Sequence, residues 1–493
     1  MSSQAQLANM DSEGRVPPQQ AIYSDLLGVS YPSKKNQIEF SCSNGDSFDP
    51  AGKNTMEIPL AIGSGQWLDL SNSFLKFTIT YVEANNDQSC YKSPHDFISR
   101  IQILGTNSEI LEDIQGYNVI ARLLYNHQLG DDGLTYNTNL GESATPAHKA
   151  TQAAAVAQRV VLQTDPTTLA NCVIATNKLN GGTLGTTAGD GGEGQQLYNE
   201  FQAPQFGTNG DTLAVCFPII SGICASGKYL PLGMLKNRSL TLRITLEAGV
   251  RVLQNQTANN APTYTVDDVS FTADVITMAE TYNQRFMDMV KSVGSVSIHY
   301  TTYKNYQDSL AAAAATANVL IPDSSRSLKS IFTAFIPATT GNQSDDLRLA
   351  NPAVRDYQYN ILSETYPQKA VSINSIATTL DRNQAFANLH IALGQLGSIT
   401  SRCAMTADGY VPRGAVGQTE LASGSFAIGI CCEAHNKSSN LLESGINLQN
   451  SSQPIRLKIN TMTNSAVAKT IHSFTLSDRL LEIDRDGNLR SSG

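Results

Sequence analysis

Charge is what this sequence has least of. Acidic and basic residues together make up 16% of its 493 positions, well short of the roughly one quarter in an average soluble chain. So low a fraction suits faces that meet other protein rather than water. Basic character is missing too: the formal net charge is −9, and neither end carries a Lys/Arg-rich arm. That balance argues against a surface that wraps nucleic acid or reads its sequence, because such binding draws mainly on phosphate neutralisation. The opening stretch, Met1–Gln20, has no apolar core of a secretory signal. No run approaches the ~18 apolar residues of a membrane span. The expectation is a protein made and kept in the cytosol or nucleus, not secreted.

Site chemistry is equally scarce. The eight cysteines, Cys42, Cys90, Cys172, Cys216, Cys224, Cys403, Cys431 and Cys432, include no CxxC pair, which excludes zinc ribbons and thioredoxin-like redox motifs. Cys216, Cys431 and Cys432 sit inside apolar runs and read as reduced, buried fillers. The seven histidines, His95, His127, His148, His299, His390, His435 and His472, form no HExxH and no i, i+4 pair. His127 and His299 read as half-buried side chains. GxSxG is absent, and the glycine tract at 180–194 lacks the GK[ST] of a phosphate loop. Asp484, Asp486 and Asn488 imitate the start of a calcium loop. Its sixth place holds Leu489 instead of glycine, so a hairpin turn is the simpler reading. Trp67 and Tyr81 read as core rather than as a sugar platform. Asn-x-Ser/Thr triplets begin at Asn237, Asn255, Asn342, Asn436 and Asn450; with no signal peptide they are chance matches. No catalytic, cofactor-binding or metal-ligating residue is expected, and no cofactor.

What the sequence does have is strands. Residues 74–82 alternate Leu75, Phe77, Ile79 and Tyr81 with Phe74, Lys76, Thr78 and Thr80, and 239–248 places Leu240, Leu242, Ile244 and Leu246 on one side. Similar runs occur at 99–105, 213–223, 269–278, 295–303, 318–337, 426–434, 455–463 and 472–484, roughly 16 strands in all. Helical spacing is confined to 117–128, 279–292 and a stretch near 382–393. Residues 1–35 are polar and proline-punctuated and read as an extended arm. Residues 140–212 are too rich in Gly, Thr and Ala to bury a core and read as a long surface loop. Each half also runs through the same order of events: a short Ile-Pro run, a polar gap, a Leu-Lys opening a strong strand (Leu75-Lys76, then Leu328-Lys329), and late in the half a basic-bordered alternating strand. A sandwich duplicated in tandem is the economical account. Two units of roughly 200 residues would fill the length. The division expected is an arm (1–36), a first sandwich (37–292), a second (293–485) and a C-terminal tail (486–493).

The stretches at 71–84, 98–125, 238–249, 325–337 and 355–371, the last with Tyr357, Gln358, Tyr366 and Pro367, resemble the double jelly-roll major capsid proteins of polinton-like viruses, virophages and adintoviruses. The resemblance spans most of 37–485. It implies an all-β fold of two eight-stranded antiparallel jelly rolls, with a few short helices and long loops. It further implies a non-enzymatic homotrimer, a pseudo-hexagonal capsomer that tiles an icosahedral shell with neighbouring capsomers and with penton and minor capsid proteins, so that the chain resides in the virion. Two rivals remain from the residues alone. A trimeric β-rich adhesin needs a shaft-like repeat of about 15–20 residues, and a jelly-roll carbohydrate-active enzyme needs a convergent carboxylate pair; neither is visible.

Overall fold

The computed structural model describes residues 31–83, 89–91, 93–105, 108–129, 206, 209–236, 238–255, 261–338, 346–376, 379–394, 410–411, 425–434, 444–449, 453–461 and 468–492. The arm at 1–30 and almost all of the loop at 140–212 lie outside them.

Strands dominate. The first half contributes β1 (Ser33–Ser41), β2 (Thr55–Ala61), β3 (Gln66–Val82), β4 (Ile98–Leu104), β5 (Ile110–Gln115), β6 (Thr212–Phe217), β7 (Ser239–Leu246) and β8 (Thr263–Met278). The second contributes β9 (Ser295–Leu310), β10 (Thr316–Ile321), β11 (Leu328–Pro337), β12 (Val354–Ile361), β13 (Glu364–Ser372), β14 (Ala427–Cys431), β15 (Ile455–Thr461) and β16 (Lys469–Asp484). A final strand, β17 (Leu489–Ser492), folds back on β16. The period-two patterns explain the faces: along β7, Leu240, Leu242, Ile244 and Leu246 are buried while their neighbours are partly open.

Hydrogen bonding sorts these strands into two pairs of antiparallel sheets. In the first half the orders are β1-β8-β3-β6 and β2-β7-β4-β5. In the second they are β9-β16-β11-β14 and β10-β15-β12-β13. Adding eight to every label of the first pair reproduces the second, so one Greek-key sandwich occurs twice. Leu75, Phe77, Ile79, Met56, Ile58 and Ile244 fill the first core, and Ile331, Phe335, Tyr357, Tyr359, Leu457 and Ile459 the second.

The Tyr-Gln…Tyr-Pro segment proves to be the β12–β13 hairpin. Tyr359 lies opposite Tyr366, and the Gln358 amide donates to the carbonyls of Pro367 (3.0 Å) and Gln368 (3.2 Å).

Two ends of the expected division differ from the structure. β1 starts at Ser33, inside the stretch read as arm, because nine residues pair with β8 from Ser33–Met278 to Ser41–Ser270; their polar composition hid a strand that is an edge. The expected tail at 486–493 contains β17. Asp484 Oδ1 accepts from the backbone of Asp486 (2.9 Å) and Asn488 (2.8 Å), which closes a turn and sends Leu489 into a buried position.

Three helices matter below: α1 (Tyr117–Leu124), α2 (Glu280–Val293), which leads from β8 to β9, and α3 (Asn383–Ala392), which packs on β14 and β11. Among the described residues no helix is long and apolar enough to cross a membrane.

Candidate functional site: the seam between the sandwiches

A polypeptide carrying two rigid sandwiches acts as one body only if something fixes their relative orientation. The first fixing point is α2. Trp67 on β3 is buried, its indole N–H donating 2.9 Å to Asn283 Oδ1, while Asn283 Nδ2 donates 3.0 Å to the Gly65 carbonyl. Phe286 meets the Trp67 ring edge-on at 4.9 Å. The connecting helix is thus strapped to the first sandwich before the chain enters the second.

The second fixing point is a carboxylate. On β5, Glu112 and Ile114 share a face by alternation, a register shift at Leu111 leaves Ile110 exposed, and Glu112 is only 2% exposed. Four donors converge on it. Oε1 receives the Gly222 N–H (2.8 Å) and the Thr302 hydroxyl (2.8 Å); Oε2 receives the Ser221 hydroxyl and the Ile223 N–H (3.4 Å). Ser221–Ile223 belong to the segment after β6, and Thr302 to β9, so the carboxylate binds the first sandwich to the second. Burial pushes its pKa up, and the four donors pull it back without cancelling the shift. Beside it the Tyr300 hydroxyl donates 2.7 Å to the Leu111 carbonyl and lies 2.7 Å from Ser491 Oγ on β17. Approach is close enough that a Cβ at Gly222 would stand 1.7 Å from the Thr301 carbonyl oxygen. The Lys236 N–H donates 3.1 Å to Gly487 O, a further tie to the closing hairpin.

The third fixing point surrounds α1. Its first turn starts from Gly116 (φ 63°), where a Cβ would meet Asn305 Nδ2 at 2.5 Å and His472 Nδ1 at 3.2 Å in the second sandwich. His472 is 4% exposed and sits 3.0 Å from Asn305 Nδ2; burial, and then the Arg251 charge, lower its pKa to about 4. Beyond α1, His127 Nε2 lies 2.9 Å from the Ser425 carbonyl, which can only accept, and its Nδ1 lies 3.4 Å from His390 Nε2 on α3. The helix itself is anchored by Arg122, whose Nε and Nη2 each reach Asp96 at 2.8 Å in a pair that is 1% and 0% exposed. His95, next to Asp96, lies 2.8 Å from the Tyr117 hydroxyl, and burial lowers its pKa to about 3.

The residues singled out in the sequence fall as follows. His127 is fully buried rather than half-buried, because the seam covers it. His299 is half-buried and 3.0 Å from Asp478. His148 and His435 lie outside the described residues, as do Cys172 and Cys403. Cys224 and Cys432 are buried thiols, Cys42, Cys216 and Cys431 half-buried ones, and burial pushes Cys42 up to about 11 and Cys224 and Cys432 up to about 12. Among the described residues no group of three or more His, Cys, Asp or Glu could hold a metal ion. The Asp484 carboxylate is occupied by its own turn, including Asn488 Nδ2 at 2.9 Å. Trp67 and Tyr81 are core. Glu112 escaped the sequence reading, although a carboxylate two residues before Ile114 in an apolar strand was the available signal.

No protein-family model matches this sequence, and no curated protein matches it. Solved structures do. VP54 of PBCV-1, fitted into a reconstruction of the virophage Sputnik, superposes with a TM-score of 0.57 at 8% identity over 96% of this chain and 99% of that one. The quasi-atomic model of the PBCV-1 capsid gives 0.57 at 10% identity, covering 96% and 100%. The cryo-EM structure of the Sputnik virophage gives 0.51 at 10% identity, covering 97% and 92%. Superposition over nearly the full length of both partners, together with one strand order used twice, makes this chain a double jelly roll with the fold of those viral coat structures.

Proposed function

We propose that the chain is a major capsid protein whose three copies form a pseudo-hexagonal capsomer, and that such capsomers tile an icosahedral shell. The observation that carries this reading is the repeated sandwich locked by a polar seam. Two like bodies held at a fixed angle give three chains six like corners, the outline a hexagonal lattice requires. The matched structures are viral coats, which supports the role. On this reading the protein has no catalytic residue of its own, its partners are further copies and the penton and minor proteins of the shell, and its destination is the virion. We take the two domains to divide near residue 293. The polar arm that precedes β1 would act as a tether beneath a neighbour, its entropy cost recovered through many contacts.

The test is mass and shape. Purified protein should elute and scatter light at ~160 kDa, three chains of 53.0 kDa, and show hexagonal outlines in negative stain. A monomer at every concentration tried rejects the proposal. Removing residues 2–30 should leave soluble trimers while impairing shell closure; normal particles from that variant would remove the arm's role and leave the rest standing.

A further inference from the structure

In both sandwiches the first strand lies at the edge of one sheet and the fifth at the edge of the other. Each kind of edge occurs once inside the seam and once outside it. Within the seam, β5 of the first sandwich meets β9 of the second, and both are heavily buried there: Leu111, Glu112 and Ile114 on one strand, Ile298, Tyr300 and Thr302 on the other. Their counterparts, β13 and β1, hold the same places in the strand order but are open. Of the nine residues of β1 only Phe40 is buried, and of the nine of β13 only Val371. Like β9, β1 is paired along its full length with the eighth strand of its own sandwich. The difference in exposure therefore comes from what lies across the seam, not from a difference in sheet structure.

We propose that β1 (Ser33–Ser41) of one copy receives β13 (Glu364–Ser372) of a second copy, in the way that β9 receives β5 within one chain. The inference rests on the self-assembling reading above and names the surface that reading requires. A unit that joins fifth strand to first strand internally leaves one first strand and one fifth strand over. Joining those on successive copies repeats the contact around a ring of six sandwiches, which closes at three chains when each contact, three within chains and three between them, turns by about 60°. Both edges carry both signs: Lys34, Lys35 and Glu39 on β1, Glu364 and Lys369 on β13. Lys35 is already held by Asp274 at 2.5 Å, and Glu364 accepts from the Tyr366 hydroxyl at 2.8 Å. Lysines along a bare edge deter pairing with unrelated strands.

Hydrogen–deuterium exchange on the full-length protein tests this, comparing assembled material with chain dissociated by dilution. Residues 33–41 and 364–372 should exchange roughly tenfold more slowly in the assembly. Amine cross-linking of assemblies mixed from light and heavy isotope chains should join Lys34 of one chain to Lys369 of another. If the protein is a trimer but both segments exchange as fast as in the dissociated chain, the inference falls and the capsomer reading survives. A chain that never associates overturns both.

Discussion

Glu112 is a single carboxylate serving four donors, and the identity of those donors makes its replacement predictable. Each oxygen faces one backbone N–H, that of Gly222 or Ile223, and one hydroxyl, that of Thr302 or Ser221. The hydroxyls can turn; the N–H groups cannot. In Glu112→Gln the amide nitrogen must confront a backbone N–H whichever way the side chain flips, so an isosteric change leaves a buried donor without an acceptor. The expected cost is about 1–3 kcal/mol, read as a lower urea midpoint with an unchanged m-value. Protonated Glu112, unlike Gln, can still accept from both N–H groups, so the variant should stay weaker than wild type even at acid pH. Equal midpoints would mean the carboxylate does not hold the seam. Gly222 poses a purely steric case. Because the obstacle is the Thr301 backbone oxygen, Gly222→Ala must push β9 away from the first sandwich. Far-UV circular dichroism should hardly change, while calorimetry resolves two transitions in place of one.

Among the elements, β17 has a role out of proportion to its four residues. It pairs with β16, supplies Ser491 to Tyr300, and follows the turn whose Gly487 carbonyl takes the Lys236 N–H of the first sandwich. A chain ending at Asp484 should therefore keep both cores and lose a clamp. Exchange should quicken along β9 near Tyr300 while β3 and β8 stay protected, and wild-type protection at Tyr300 in the shortened chain would refute the clamp. The sequence made this element hard to see. Its residues, LRSS, have no alternating apolar pattern, and only the Asp484 turn gave it away. Strands with an apolar side, such as β3 and β7, were legible from period two alone, and α1 from its stripe at three and four. β1 was not legible because an edge strand awaiting a partner is polar on both sides, the same composition that marks an arm. The seam was the least legible part. Its residues lie nearly two hundred positions apart, as Glu112 and Thr302 do, and nothing local in a chain records which polar side chain will meet which.

At the scale of the whole molecule, the seam makes stability respond to acid. His95 and His472 are buried, with pKa values lowered from 6.5 to about 3 and about 4. A lowered histidine value means the unfolded chain binds a proton that the folded chain refuses, so stability is complete above pH 6.5 and falls as pH drops through that value. At pH 5 each histidine withdraws about 2 kcal/mol. Glu112 acts in the opposite sense: its raised value favours the folded state where the carboxyl is protonated, a gain that fades as pH climbs through the folded value. The histidine loss runs downward from 6.5, whereas the Glu112 gain is confined to the window between its raised folded value and the ordinary 4.5. His472 lies against Gly116 and Asn305, so the first contact to weaken on its side is the one between the sandwiches rather than either core. Mild acid should thus loosen the seam at His472 while it weakens the first sandwich at His95. Chemical denaturation at pH 7 and pH 5 should show the midpoint falling, and His472→Gln should remove close to half of the fall. Were the two midpoints to coincide, or His472→Gln to leave the difference intact, acid sensitivity would have to reside outside the seam. A shell built from such subunits would then lack a built-in response to an acidified compartment.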